Sequence, residues 1–350
     1  MPACRRCGRL LIAAAMALQL ANALADDIKL LTGPQHTTQQ QIGGELAWYV
    51  TPFTDLTLDP IPTAGPTDIL QRLRDEDKRG AVVNLALLQA DVAQTYLLAA
   101  ERGNTNAASW LAPLRVVAPL YNEELHFIVR SDSGFETVQD IRDARINVGP
   151  LKGGTALSVV TLYRLLFDAM PADQKLSRLS HGEALTKLLT DKTIDVVALL
   201  ADQPAPLLAN MKPEARRFVK LLKFDATRPE SAAALRVYRV ATLRQASYPN
   251  LLGEDIPALA VQLYLVAHSR QDAADERLRR FANAYCQQLP RLKAEGHPKW
   301  RELDAGLPAL APGWHYAKAP ALELARCLGI AESEIPDTCQ PTERTLGLCN

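Results

Sequence analysis

The chain has 350 residues, of which 48% are apolar and 22% charged. That suffices for one large domain or two medium ones around a packed core, and it excludes wholesale disorder. Basic and acidic residues number 39 each, and a net charge of zero removes the electrostatic case for nucleic-acid binding.

The N-terminus reads as an export signal. Arg5, Arg6 and Arg9 precede the almost wholly apolar stretch Leu10–Leu20, and Ala23-Leu24-Ala25 supplies the small-x-small pattern of a cleavage site. The apolar stretch is too short to span a bilayer, which takes about 20 residues. Residues 1–25 are therefore expected to be removed after Ala25. That loss discards three arginines and no acid, so the remaining chain is mildly acidic. Nothing downstream is long and apolar enough to span, and a soluble exported protein is expected.

From there strand and helix patterns alternate. Ile28–Thr32 is a short strand-like run, Gln40–Tyr49 a helix, and Leu56–Pro62 an extended segment closed by Pro60 and Pro62. Pro66 and Asp68 open a helix with Ile69, Leu70 and Leu73 on one face. Ala81–Leu88 is a near-continuous apolar run, as expected for a strand buried on both faces. A helix over Ala90–Ala100 follows. Val116–Leu120 and Leu125–Val129 read as two strands separated by the polar stretch Tyr121–Glu124. Then come a strand at Ile146–Val148, a helix at Thr155–Phe167, a strand at Leu176–Leu179, a helix at Glu183–Leu189 and a strand at Ile194–Leu200. Tyr238–Leu243 and Leu259–Ala267 are strand-like, and a charged helix covers about Ala273–Leu292. The proline-bearing stretch 296–313 is irregular and leads to a last helix near Ala321–Leu328. The rhythm predicts an α/β fold with mostly parallel sheets covered by helices.

Cys4 and Cys7 fall within the signal. Cys286, Cys327, Cys339 and Cys349 remain, and four cysteines in an exported chain predict two disulfides with three connectivities open. A zinc site would bring its cysteine pairs two to four residues apart, unlike this spacing, so no metal is expected. There is no G-x-G-x-x-G, P-loop or G-x-S-x-G, and no His pair at helical ligand spacing. No catalytic residue and no cofactor follow from the sequence. Ser180-His181-Gly182-Glu183 matches a capping box and reads as structural.

Two loops have the chemistry of a binding site. Gly149-Pro150-Leu151-Lys152-Gly153-Gly154-Thr155 follows a strand and opens a helix. Its glycines let backbone N–H groups approach an anion, the helix N-terminus favours one, and Lys152 adds a charge. The same stretch reads equally as a plain turn capped by Thr155. Thr32-Gly33-Pro34-Gln35-His36-Thr37-Thr38-Gln39 is polar and also joins a strand to a helix; it fits a cleft wall or an ordinary loop.

The order of segments resembles the TAXI class of TRAP-transporter solute receptors, from about Ile28 to Tyr316. The stretch Pro119-Leu120-Tyr121-Asn122-Glu123-Glu124-Leu125-His126-Phe127-Ile128-Val129-Arg130-Ser131-Asp132-Ser133-Gly134 is similar to that family's L-Y-x-E-x-L-H-x-x-V-R-x-D-S-G run. Leu88-Gln89-Ala90-Asp91-Val92-Ala93 resembles its V-Q-S-D-V-A, and Lys152-Gly153-Gly154-Thr155 stands where it has G-S-G-T. Val138–Ile141, Ile146–Pro150, Tyr248-Pro249, Ile256–Val261 and Gly313–Tyr316 fall in the same order. The first loop departs from the family's glycine-rich T-G-G-x-x-G-T-Y-Y, which implies a more polar cleft. The cysteine-bearing tail after Ala321 lies outside the pattern.

The resemblance implies a two-lobed periplasmic-binding-protein fold with a hinge. Lobe one would be 26–121 plus 238–350, and lobe two 122–237. A small anionic solute, an amino acid or dicarboxylate, would be held by Thr32, Gln35, His36, Thr37, Gln89, Tyr121, Lys152, Gly153, Gly154 and Thr155. A monomeric receptor would hand it to a TRAP-type permease, without nucleic acid as a partner. Signalling to a membrane sensor kinase is the alternative on the same fold, and an exported enzyme a more distant one.

Overall fold

The computed structural model describes residues 26–54, 56–77, 84–268, 272–304, 306–336 and 344–345. The expected signal, with its cleavage site, lies outside them, as do Cys339 and Cys349. So does the start of the apolar run at 81–83.

The first half of the chain builds three parallel strands with helices between. β1 (Asp26–Thr32) is followed by α1 (Thr38–Tyr49), β2 (Leu56–Pro62), α2 (Pro66–Asp77), β3 (Asn84–Gln89) and α3 (Asp91–Glu101). Both β2 and β3 pair with β1. β2 lies at the sheet edge, where Pro60 and Pro62 remove no needed ladder donor. Ile69, Leu70 and Leu73 bury one face of α2 as the spacing predicts.

β4 (Leu114–Arg130) is one continuous strand of 17 residues. The expected break at Tyr121–Glu124 does not occur, because its polar side chains find tertiary partners. Glu123 is bonded by two glutamines and Glu124 by a lysine. The backbone stays paired, with Asn122, Glu123 and Glu124 opposite Gln262, Val261 and Ala260 of a later strand.

The second strand group follows: β5 (Ile146–Asn147), α4 (Gly154–Phe167), β6 (Leu176–Ser177), α5 (His181–Leu189) and β7 (Val196–Ala201). β5 pairs in parallel with both β6 and β7. Ser180 and Glu183 form the expected capping box at the start of α5. The short α6 (Pro206–Ala209), β8 (Val219–Leu221) and α7 (Ser231–Ala234) lead to β9 (Arg239–Leu243) and the long β10 (Ile256–His268).

The sheet runs β2-β1-β3-β10-β4-β7-β5-β6. Its two outer groups are parallel, and β10 and β4 join them in antiparallel pairing. The C-terminal part packs α8 (Asp272–Glu295) against α9 (Lys318–Leu328), and Cys286–Cys327 ties them together. These helices and α1 cover one core, where Ile42, Leu46, Phe281, Trp300 and Leu324 meet. α2, α3 and α4 border a second core and α5 a third. Among the described residues no helix is long and apolar enough to cross a membrane.

Candidate functional site

The ends of β1, β3 and β7, the middle of β4 and the turn 298–302 converge. Thr32 closes β1 fully buried, its hydroxyl donating to the main-chain oxygens of Gly33 and Ile61 at 3.2 and 3.3 Å. Thr37 caps α1, accepting from the Gln40 N–H at 3.5 Å and donating to Pro34 O at 2.6 Å. Gln35 and His36 are exposed. His36 has φ 65, which turns the loop into the helix.

Gln39, inside α1, is buried and donates Nε2 to Glu123 Oε1 at 2.9 Å. Gln89, the last residue of β3, donates to the other oxygen at 3.1 Å. Two amides from different elements thus hold one carboxyl group in the middle of β4. Glu124, one residue on, points oppositely along the pleat and meets Lys299. That ammonium lies 3.2 Å from Glu124 Oε1, 2.9 Å from Asn122 O and 2.8 Å from Glu302 Oε2. Asp202, just past β7, is 3.9 Å from the same nitrogen.

These groups border a cavity of about 440 Å³ lined by His36, Thr37, Thr38, Glu123, Asp202, Lys299 and Glu302 among others. The wall from 200 to 206 is braced by Tyr248. Its hydroxyl accepts from the Ala205 N–H at 2.9 Å and lies 2.7 Å from His126 Nε2. Burial pushes His126 down to about 4, so it braces as a neutral imidazole.

The electrostatics are lopsided. Burial, then the charge of Asp202, pushes Glu123 up to about 8. Burial lifts Glu124 to about 7 against the pull of Lys299, and it raises Asp202 as well. Burial opposes the charge on Lys299, but Glu124, Glu302 and Asp202 hold it above its ordinary value. Four carboxyl groups share one lysine.

The glycine loop sits beside this cavity rather than in its wall. The Gly153 N-cap of α4 makes no side-chain cap bond, and the Thr155 hydroxyl accepts from the Leu200 N–H at 3.1 Å. A Cβ on Gly154 would lie 2.8 Å from Gln89 Nε2, so a side chain there would push the Gln89 amide aside. Gly65, at φ 128, faces the Lys152 carbonyl just as closely. Lys152 itself is exposed, with φ 72.

Of the sequence-derived candidates, His36 and Thr37 line the cavity, and Gln89 and Gly154 meet at its edge. Tyr121 is buried behind it, with a hydroxyl that has no hydrogen-bond partner. Thr32 and Thr155 are spent on backbone bonds, and Gln35, Lys152 and Gly153 stand outside the lining. Sequence reasoning missed Thr38, Gln39, Glu123, Glu124, Asp202, Lys299 and Glu302. One signal was present: two adjacent glutamates inside an otherwise apolar strand pattern. Among the described residues no group of three or more His, Cys, Asp or Glu is placed to hold a metal ion.

The profile of the NMT1-like family matches residues 30–306, and no curated protein matches the chain. Among solved structures, the chain is similar to a TctC solute binding protein from Polaromonas at 13% identity and TM-score 0.43, over 88% of this chain and 96% of that one. It is also similar to the periplasmic sulfonate-binding protein SsuA from Methylobacillus flagellatus KT, at 11% identity and TM-score 0.44, over 87% and 77%. The periplasmic binding protein BugD matches at 11% identity and TM-score 0.41, over 92% and 98%. The matched family is one of solute-binding proteins and not of enzymes. With a mixed α/β fold and more than three quarters of its length matched, this chain belongs to the NMT1-like family, the TAXI-type solute-binding proteins of TRAP transporters.

Proposed function

We propose that the chain is an exported periplasmic receptor that closes two lobes on a small carboxylate-bearing solute and delivers it to a TRAP-type permease. Lobe one is 26–121 plus 238–350 and lobe two is 122–237. The observation that carries this reading is the provenance of the cavity walls. Residues 36–38 and 297–302 belong to the first lobe and 200–206 to the second, with Glu123 at the crossover between them. A solute in that space touches both lobes, so its binding energy is available to hold them closed. The carboxylate end extends past the cavity's edge to the N–H groups at the start of α4, whose dipole favours an anion, with Gln89, which meets Gly154 there, orienting it.

The test is a thermal-shift screen of the oxidised protein against dicarboxylates, keto acids, amino acids and neutral sugars. A solute at 100 times its dissociation constant adds about 2.7 kcal/mol and raises Tm visibly. A response confined to carboxylates is expected. A response to neutral sugars alone sinks the carboxylate seat, and silence from folded protein sinks the receptor reading.

A further inference from the structure

We propose that Glu123 and Asp202 seat a protonated amine of the solute in this cavity. The inference rests on the receptor reading above and names the second pole of its ligand. It starts from a count of donors. A lysine ammonium has three hydrogens, and those of Lys299 go to Asn122 O, Glu124 and Glu302 at 2.8 to 3.2 Å. Asp202, at 3.9 Å, is left beyond hydrogen-bonding distance. Its Oδ1 is buried with no hydrogen-bond partner. Glu123 is hydrogen-bonded by the neutral amides of Gln39 and Gln89, and the Lys299 charge reaches it from farther off.

A second, independent observation comes from Tyr121. It is 1% exposed, and its hydroxyl has no hydrogen-bond partner. That hydroxyl feels the charges of Glu123, Asp202, Glu124 and Glu302. It lies behind a wall crowded with carboxyl groups, where even the Asp202–Lys299 pair is stretched to 3.9 Å, an arrangement that suits a cation in the cavity and not an anion. The remaining wall fits the stem of such a group. Leu200, Ala201, Pro204 and Pro206 offer apolar surface next to the acids, which suits methylenes leading to a charged head.

The titratable groups facing Glu123 and Asp202 are Tyr121 and Glu124 on β4, His36 on the first loop, and His297, Lys299 and Glu302 on the turn. Lys299 is committed elsewhere, so an arriving cation is what ionises Glu123. Because Glu123 is pushed up to about 8 by burial and Asp202, it is largely protonated at neutral pH. Amine binding then expels that proton to solvent.

The experiment is calorimetry on the full, oxidised chain at pH 7.0, in two buffers of different protonation heat. The probes are matched four- and five-carbon compounds: succinate and glutarate, 4-aminobutyrate and 5-aminovalerate, 1,4-diaminobutane and 1,5-diaminopentane. The amino acids are expected to bind at least about tenfold tighter than dicarboxylates of equal length, the scale of one charge-assisted hydrogen bond. About one proton is released per amine bound. Glu123→Gln removes that proton release and weakens amine binding by about tenfold or more, and Asp202→Asn weakens it comparably and lessens the release, because the Asp202 charge helps to hold that proton on Glu123. Both variants are checked for native circular dichroism.

Dicarboxylates binding while amines do not overturns the inference and leaves the receptor reading standing. Amine affinity unchanged in both variants also overturns it. Diamines binding as tightly as amino acids supports the inference and removes the carboxylate seat instead. No binding by any probe to folded protein counts against both.

Discussion

Asp91 and Glu123 are both buried acids where the two strand groups meet, yet they are treated differently. Asp91, at the start of α3, is 0% exposed and Glu123 7%. The Tyr238 hydroxyl lies 2.9 Å from Asp91 Oδ2 and 2.9 Å from Ser158 O of α4. Burial lifts Asp91 to about 6, and hydrogen bonds from Ser158 and Tyr238 restrain the rise. Around Asp91 lie Val92, Ala93, Val159 and Leu162, all within one continuous apolar core. Glu123 instead shares a cavity with Asp202, Glu302 and one lysine. Burial alone therefore does not separate a strut from a site. Asp91 Oδ1 is itself buried without a hydrogen-bond partner, so what separates the two is the space beside the acid: the strut is sealed in an apolar core, and the site borders a cavity.

The largest way to break this contrast is Lys299→Met. The ammonium is 2% exposed and is paired with Glu124, itself 9% exposed. Removing one partner of a buried pair costs about 3–5 kcal/mol. Urea unfolding at pH 8 is expected to show that loss, and acidification toward pH 5 to recover much of it as Glu124 takes up a proton. A loss below about 1 kcal/mol, the surface-pair range, would mean that the lysine is not neutralising the cluster.

The pH profile sharpens the contrast at about 2 kcal/mol. Glu123 and Glu124 stand at about 8 and about 7 in the folded chain against an ordinary 4.5. A raised acid binds more protons folded than unfolded, so its stabilisation is complete below 4.5 and is lost as pH rises through the folded value. Asp91, at about 6, has spent its share by then. His126, pushed down to about 4, acts in the opposite sense, but only below its ordinary 6.5. Between pH 6.5 and 8 the decline thus belongs to the cavity, about 2 kcal/mol at 1.36 kcal/mol per unit and proton. Glu123→Gln should flatten that part of the curve, measured by urea melts at fixed salt. A profile that stays steep in the variant would remove Glu123 as its source.

The contrast also shows how much of the molecule was legible in its sequence. Local signals carried well. Pro66 and Asp68 start a helix, Ser180 and Glu183 cap one, and the apolar stretch Leu85–Leu88 is buried in a strand. The reading failed at Tyr121–Glu124, where polarity suggested a break and the chain runs straight on. The partners that keep Glu123 and Glu124 inside the strand come from Gln39, Gln89 and Lys299. These lie 84, 34 and 175 residues away along the chain, and no local pattern announces such pairings. The site was half legible for the same reason. Loops at strand ends are found by periodicity and turn chemistry, which located His36, Thr37 and Gly154, while Gln89 came from the family resemblance. Lys299 and Glu302 sit in a proline-bearing stretch with no periodicity, and only the fold brings them to β4.

The smallest expected effect isolates the strut. Tyr238→Phe removes a single oxygen and keeps the ring, which is 2% exposed in the core. Asp91 Oδ2 and Ser158 O then lose the one hydrogen they share, at a cost of about 1–2 kcal/mol. The cost should depend on pH in a definite direction. With the donor gone Asp91 rises further above its ordinary value, so the deficit is largest at pH 8, where the carboxylate is charged and unpaired. It shrinks toward pH 5, where a protonated Asp91 supplies its own hydrogen to the Ser158 carbonyl. Solute affinity should not move, because Tyr238 and Asp91 are absent from the cavity lining. A variant that lost affinity while keeping wild-type stability would reverse the assignment, making Asp91 part of the site and the seam between α3 and α4 a place that opens.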